Sequence, residues 1–385
     1  VDTAQYLQTH AAVRLQTPDE SEPRWIAHQL LDCRRFALSP AGCLALIAFM
    51  GGRRVDEAIA EIREVSPVSG AEVMQVIDFL VSAELLVPES HEGHRLAAQI
   101  VNQWSLYGWR EAADYHLASF DYKFLDYSRE EGPIEDGLRM FSYRRNEPEP
   151  ARTKQYDDAL ERLRITPAKD ALLALRTPFD DAWRSTPPAQ DLDADRLGSL
   201  LAIAFGQLRS RFLVRGIPNL VRKTSPSGGG RHPTEGYVIV RDVRGMVPGV
   251  YHFAVATNEL ERIGGALPEE EISKIFYGLA QAPFFPRAFV VFTSVFERNM
   301  YRYREPRTFR TVLMDVGHVI GTLQVVARSL GVLCHAHHSI DDESLTSLLR
   351  LDRLTEGVLY GAAIGGKDQG HGSEYEECRQ PAACV

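Results

Sequence analysis

Arg222-Lys223-Thr224-Ser225-Pro226-Ser227-Gly228-Gly229-Gly230-Arg231-His232-Pro233-Thr234-Glu235, running into the apolar segment 237–240, is the stretch on which the reading of this chain turns. Glycines let backbone approach a ligand closely, and hydroxyls and amides can donate to a phosphate or to a polar ring edge. The adjacent cations Arg222 and Lys223 can neutralise a phosphate. The stretch therefore reads as the binding loop of a phosphorylated cofactor. It is neither a P-loop, because the lysine precedes the glycines, nor a dinucleotide fingerprint, because no G-x-G-x-x-G opens a helix. The bland alternative is a solvated turn beside a strand. Against it stands the backbone entropy cost of three consecutive glycines, which calls for a reason.

Working outward, the C-terminal half has an α+β pattern. Helices are expected at 197–209, 272–280, 308–330 and 343–351, and strands at 237–241, 249–253, 288–296 and 357–364. The 308–330 helix carries Val312, Leu313, Val316, Ile320, Leu323 and Val326 on one broad face, and Gly331 stops it. Upstream, 101–122 is rich in aromatics (Trp104, Tyr107, Trp109, Tyr115, His116, Phe120, Tyr122). It reads as a helix face packed on a core, or else as the wall of a substrate channel. Residues 129–195 are charged and proline-punctuated, as surface helices and linkers are.

The N-terminal part reads as three or four short helices over 23–88 followed by a short strand at 85–87. Trp25, Ile26, Leu30 and Leu31 fall at helical spacing. Pro40 stands at an N1 position after Ser39, and Ser69 caps a helix over 71–83. This pattern is winged-helix-like. The helix that would enter a DNA groove contains no Lys or Arg, so a peptide-binding or dimerising use is expected instead. Residues 1–22 are polar and without periodicity.

The chain has 385 residues, enough for two or three domains, and its 44% hydrophobic and 25% charged content is that of an ordinary globular protein. A net charge of −9 offers no global attraction for nucleic acid or an anionic membrane. No apolar run approaches the ~20 residues that span a bilayer. Five dispersed cysteines without a C-x-x-C fit a reducing compartment, so a cytoplasmic location is expected, with Cys378 and Cys384 in a free tail.

RKTSPSGGGRHPTEGYVIV, then GVYHF (249–253), RYREPRTFRTVLMDVGH (302–318) and GVLYGAAIGG (357–366) occur in this order, and the combination resembles the SagB-type dehydrogenases. These are FMN-dependent azoline oxidases of ribosomal-peptide (RiPP) biosynthesis, within the nitroreductase superfamily. The strong part of the resemblance covers about 195–370. It implies an α+β, nitroreductase-like flavin domain at 195–385 with a central mixed sheet flanked by helices. A helical linker at 99–194 would precede it, after a helical winged-helix-like domain at 1–98 that is a candidate peptide binder. It further implies a homodimer with FMN at the interface, a modified peptide substrate whose thiazoline or oxazoline becomes an azole, and a cyclodehydratase-type synthetase partner.

By the same resemblance, Arg222, Lys223, Ser225, Ser227, Gly228, Gly365, Gly366 and Lys367 are expected to contact the cofactor. Tyr303, Arg302 and His318 are the catalytic candidates. Arg302 departs from the family, which commonly has Lys there. Azoline oxidation needs a base for a carbon-bound proton, and Arg is effectively always protonated. Tyr303 can take the acid/base role with Arg302 favouring its phenolate. The departure also leaves open a nitroreductase-like enzyme using NAD(P)H on a small molecule, or a non-catalytic peptide-binding scaffold. Asp315 lies one helical turn before His318 and can orient it. His335, His337 and His338 form an H-x-H-H cluster. His335 and His337 share a strand face, and a contribution near the flavin is expected of them rather than a metal.

Overall fold

The computed structural model describes residues 1–165, 189–208, 221–279 and 282–367. Cys378, Cys384, Arg209 and Ala280 lie outside the described residues. The chain divides into two compact units, Val1–Pro133 and Ile134–Val385.

The first unit opens with strands β1 (Tyr6–Thr9), β2 (Val13–Gln16), β3 (Trp25–Gln29) and β4 (Arg34–Leu38). Then follow α1 (Pro40–Ala48), β5 (Arg53–Arg54), α2 (Val55–Val65), α3 (Gly70–Ser82), β6 (Leu86–Val87), α4 (Glu92–Ser105) and α5 (Arg110–Ser119). Local signals set the helix starts as expected. The Ser39 hydroxyl accepts the Gly42 amide at 3.2 Å ahead of Pro40. Ser69 and Glu72 form a reciprocal capping box on α3. β5 and β6 are not neighbours: β1 lies between them in their three-stranded sheet.

The helical spacing expected for Trp25, Ile26, Leu30 and Leu31 is corrected. Trp25–Gln29 is the middle strand of an antiparallel β2-β3-β4 sheet. Ile26, Ala27 and Gln29 are all buried there, so its apolar content does not alternate, and the short run mimics helical spacing. The aromatic-rich 101–122 segment contains the end of α4 and all of α5, with a break at Gly108 (φ 73°) between them.

The second unit opens on α6 (Glu131–Asn146), followed by β7 (Glu161–Arg164) and α7 (Ala194–Phe205). After the glycine-rich loop come β8 (Thr234–Val240), β9 (Gly249–Ala254), β10 (Glu259–Gly264), α8 (Glu269–Ile275) and β11 (Ala288–Val295). The chain continues through α9 (Phe296–Arg302), α10 (Thr308–Ser329), β12 (Leu333–His337), α11 (Asp342–Leu348) and β13 (Glu356–Gly365). One seven-stranded sheet runs β12-β13-β11-β8-β9-β10-β7. The expected mixed sheet is corrected here, because every described pairing in it is antiparallel. β8, β9 and β10 follow one another through short connections, which favours antiparallel neighbours.

Both faces of the sheet are covered. Val238 and Val240 pack with α7 and α10, through residues such as Leu197, Phe205, Val316 and Leu323. Tyr237 and Ile239 point the other way, against Phe276, Phe289 and Val291. Covering on both faces explains why the central strands read as unbroken apolar runs. α10 buries Val312, Val316, Val319, Ile320, Leu323 and Val326, while Phe309, Leu313 and Met314 on its other side are exposed. Gly331, at φ 66°, ends it as expected. Among the described residues no helix is long and apolar enough to cross a membrane.

Candidate functional site

Thr234, at the start of β8, is the register partner of Ser294, next to the end of β11. The glycine-rich loop enters at one of these points and α9 leaves at the other. The topology thus delivers Ser225–Gly230 and Arg302–Tyr303 to the same end of the sheet.

The loop is held from α10. Ser227 donates its hydroxyl to Asp315 Oδ2 at 2.6 Å, and the Gly228 amide donates to Asp315 Oδ1 at 3.1 Å. Ser225 donates to the His318 carbonyl at 3.3 Å and shares a 2.7 Å hydrogen bond with the Thr322 hydroxyl. Burial pushes the Asp315 carboxyl up from its usual range, and the Ser227 and Gly228 hydrogen bonds oppose that only partly. Asp315 therefore braces the loop instead of orienting His318, whose side chain is exposed.

The glycines have a packing reason. A Cβ on Gly228 would strike the Thr311 side chain, and one on Gly229 would strike the Tyr303 hydroxyl. Gly229 and Gly230 also have φ of 59° and 61°, the left-handed region. Tyr303 is half-buried beneath this turn, and the Arg302 guanidinium lies 5.2 Å from its ring centroid. Arg302 pairs with Asp136 of α6 at 2.7 Å. Burial pulls the Arg302 pKa down, but the hydrogen bonds with Asp136 and Tyr303 outweigh it and leave it raised.

Arg222 and Lys223 do not act as one clamp. Neighbouring residues in extended backbone point to opposite sides, and here Arg222 is exposed while Lys223 is buried. Lys223 donates to the Thr234 carbonyl at 3.2 Å. Burial lowers its pKa to about 8, Glu235 opposing the shift and Arg298 adding to it. The Glu235–Arg298 ion pair is 2.6 Å long and sealed from solvent. Burial alone would raise the Glu235 pKa, yet Arg298, His252 and Lys223 hold it near about 2. Glu235 and Glu261 flank the His252 ring at 3.4 and 3.0 Å. Burial disfavours the charged imidazole, but the two carboxylates prevail and raise its pKa.

Gly365, Gly366 and Lys367 lie elsewhere. Ala288 pairs with both Val240 and Ile364, so β13 finishes at the far end of β8 from Thr234. Within one chain the two halves of the expected cofactor set are separated by six residue steps, roughly 20 Å at ~3.4 Å per residue. Lys367 is exposed there, and its amide donates to the Gln190 carbonyl at 2.8 Å.

Buried polar groups without partners among the described residues gather at the loop end. Asn299 is fully buried and neither its Oδ1 nor its Nδ2 is bonded, nor are the hydroxyls of Thr234 and Ser294. The Asn299 amide sits 3.9 Å from where a Gly228 Cβ would be. A ligand group offering both donors and acceptors would satisfy such a set. Asn299 and Asp136 were not singled out from sequence, where they stand as isolated polar residues. His335 and His337 do share a strand, with ring centroids 6.3 Å apart, and His337 stacks on His338 at 4.9 Å. Among the described residues no group of three or more His, Cys, Asp or Glu is arranged to hold a metal.

Comparison with known proteins places this site in context. Residues 188–366 match the Nitroreductase family. The chain is 35% identical over 156 residues to the trifolitoxin-processing protein TfxB of Rhizobium leguminosarum bv. trifolii, covering 39% of this chain and 41% of TfxB. It is 31% identical over 134 residues to MJ1384 of Methanocaldococcus jannaschii, covering 34% of this chain and 64% of that protein. The chain thus spans about two fifths of one of these curated relatives and just under two thirds of the other. Among solved structures, a chain of the E. coli microcin synthetase McbBCD complex with truncated pro-MccB17 bound is 17% identical, at a TM-score of 0.40, with 70% of this chain and 94% of that chain covered. An FMN-dependent nitroreductase of Clostridium difficile R20291 is 12% identical, at a TM-score of 0.28, covering 52% and 94%.

Proposed function

From the premise that residues 188–366 form a nitroreductase-family domain, we propose that the protein is an FMN-dependent dehydrogenase of RiPP biosynthesis, oxidising an azoline in a peptide to the azole. The observation that carries this reading is the convergence of the glycine loop, Tyr303 and the partnerless Asn299 amide at one end of the sheet. The similarity to a trifolitoxin-processing protein supports a peptide substrate.

The donor set fits a flavin. Gly229 and Asn299 would hold the polar edge of its ring, and the exposed Arg222 is available to its phosphate. When bound, the flavin supplies the two-electron acceptor for hydride from the heterocycle. Tyr303 is the group placed to hold the accompanying carbon-bound proton, with the always-charged Arg302 5.2 Å from its ring centroid. Because Gly365–Lys367 sit a strand length from the loop, a site using both sets is best assembled from two copies. The exposed Phe309, Leu313 and Met314 of α10 offer the apolar face for such a homodimer.

The first unit supports the peptide reading by itself. β4 is an edge strand, and between it and α3 runs a groove of ≈ 540 Å³ lined by Leu38, Val68, Val76, Phe79 and Leu80. An extended peptide can add to such an edge and lay side chains into the groove. A synthetase partner and a cytoplasmic setting belong to the same reading.

The test is the visible spectrum of the purified protein, followed by incubation with an azoline-bearing peptide and mass analysis. Stoichiometric FMN and loss of two hydrogens from the peptide support the proposal. A colourless protein that takes up no added FMN overturns it.

A further inference from the structure

The segment that leaves α6, residues 147–153, is held against the loop end of the sheet by cations from later in the chain. Glu147 takes Arg304 at 2.8 Å, Glu149 takes Arg231 at 2.7 Å, and the Ala151 carbonyl accepts Arg298 Nε at 2.8 Å. Between this segment and Val221 and Ala256 lies a cavity of ≈ 500 Å³. Pro150, Val221 and Ala256 give it an apolar wall, and Glu149 and Arg152 give it a charged one.

The charges around this cavity do not balance. Glu149 accepts one N–H from Arg152 and one from Arg231, both on Oε1 at 2.7 Å. Among the described residues neither arginine makes a further hydrogen bond, so most of both donor forks is left over, and Arg231 Nε is buried without a partner. Val221 leads on to Lys223, whose one hydrogen bond among the described residues goes to the uncharged Thr234 carbonyl. Arg298 pairs with Glu235. Arg231, Lys223 and Arg298 are buried and the Arg152 side chain is 12% exposed, so these four cations face only the two carboxylates Glu149 and Glu235. The next carboxylates out, Glu261 and Asp136, have cations of their own in Arg162 and Arg302, and Arg144 adds one more cation to Glu149 at 3.4 Å. Buried charge is compensated in stable proteins, so the surplus calls for an anion. A bare phosphate would leave the apolar wall unused. A carboxylate on an apolar stem fits both walls, with its oxygens on the Arg152 fork.

Resting on the peptide-substrate reading, we propose that this cavity is a specificity subsite that takes one carboxylate of the peptide, from an acidic side chain or the C-terminus, on Arg152. Arg222, the exposed neighbour of Val221, stays available to the flavin phosphate.

The test is calorimetric titration of the purified full chain at constant ionic strength, before and after loading with FMN. The probes are N-acetylglutamate amide, with only a side-chain carboxylate, and N-acetylalanine, with only a terminal one. N-acetylglutamine amide is the neutral control, and inorganic phosphate is the competing anion. At least one carboxylate should bind about tenfold or more tighter than the glutamine probe, and the one that does names the source. Arg152→Met should remove this preference and Arg152→Lys should restore part of it. Arg152→Met leaves Glu149 with Arg231, so the fold should persist. Ala256→Phe, at an exposed wall position, fills the cavity without touching a charge and should weaken the same binding. Equal binding of the carboxylate and glutamine probes, or a preference that survives Arg152→Met, overturns the proposal. So does phosphate binding that exceeds both carboxylates and vanishes on FMN loading, which would assign the surplus cations to the flavin phosphate. A protein that takes no FMN yet shows the Arg152-dependent preference would end the enzymatic reading and keep the subsite. Azoline-oxidising enzyme without the preference would do the reverse.

Discussion

Asp315 accepts the Ser227 hydroxyl and the Gly228 amide at once, so one buried carboxylate on α10 fixes the turn that carries the candidate ring contacts. Its pKa is raised by burial, which means that the folded state binds a proton more readily than the unfolded chain. Stability tied to this group therefore falls as pH rises from the ordinary Asp range through its raised value, and at neutral pH the ionised form is a cost. Asp315→Asn should leave the melting temperature unchanged or higher. Asp315→Ala, which leaves the Ser227 hydroxyl and Gly228 amide without their acceptor, should weaken FMN binding by about tenfold or more, consistent with a lost hydrogen bond to a charged group. Fluorescence titration with FMN, alongside thermal melts of both variants, separates the two effects.

Gly229 and Tyr303 are coupled by contact. Gly229→Ala should cost about 1–3 kcal/mol, from the left-handed backbone and the clash together. Removing the ring with Tyr303→Ala should relieve only the clash. A double-mutant cycle by denaturant unfolding is expected to show a coupling of about 1 kcal/mol or more. Strict additivity would mean that the turn relaxes away from the phenol.

Arg298 and Glu235 form a sealed pair beneath the loop. Removing one partner strands a charge, so Arg298→Ala should destabilise the second unit by about 3–5 kcal/mol. Replacing both with Met should cost less than the single change. The depressed pKa of Glu235 contributes stability that is present above the ordinary Glu range and is lost as pH falls toward about 2. Urea melts at pH 7 and pH 3 check both statements.

In the first unit, His10 is buried against His91 and His94, with ring centroids 5.3 and 5.7 Å away. Its Nδ1 accepts the Ala12 amide at 3.0 Å. Burial, then the two neighbouring histidines, lower its pKa to about 4, and Asp32 opposes them weakly. The unfolded chain therefore binds the proton first, and stability present above about pH 6.5 is lost as pH falls toward 4. The melting temperature of this unit should drop by roughly 5 °C or more over that interval. His10→Asn, which keeps an acceptor near Nδ1 but cannot titrate, should flatten the profile. An unchanged slope would assign the acid sensitivity elsewhere.

Much of the second unit was legible because its signals are local. Helix α10 announces itself by a sustained 3.6-residue apolar face and a stopping glycine, and β8 and β11 by short apolar runs. The N-terminal strands were not, since β1 and β2 are short and polar and β3 is buried on both sides. At the candidate site, the loop was read from its composition and Tyr303 from the family resemblance. The pairing of Arg222 with Lys223 failed on period-two geometry that the sequence itself contains. The remoteness of Gly365–Lys367 depends on strand register, and the Asp136–Arg302 and Glu235–Arg298 pairs on contacts between residues far apart in sequence. Neither kind of information is carried by a single chain's local pattern.

The placement of β1 bears on the order of events in folding. Both of its neighbours, Arg53–Arg54 and Leu86–Val87, come later in the chain. As the polypeptide leaves the ribosome, Tyr6–Thr9 must wait for most of the first unit to be made before its second edge is paired. The β2-β3-β4 meander can close on its own residues long before that. The β5-β1-β6 sheet is therefore expected to assemble last, around a strand made before both of its partners, and its final cooperative step should be sensitive to the loop-closure entropy of the intervening segment.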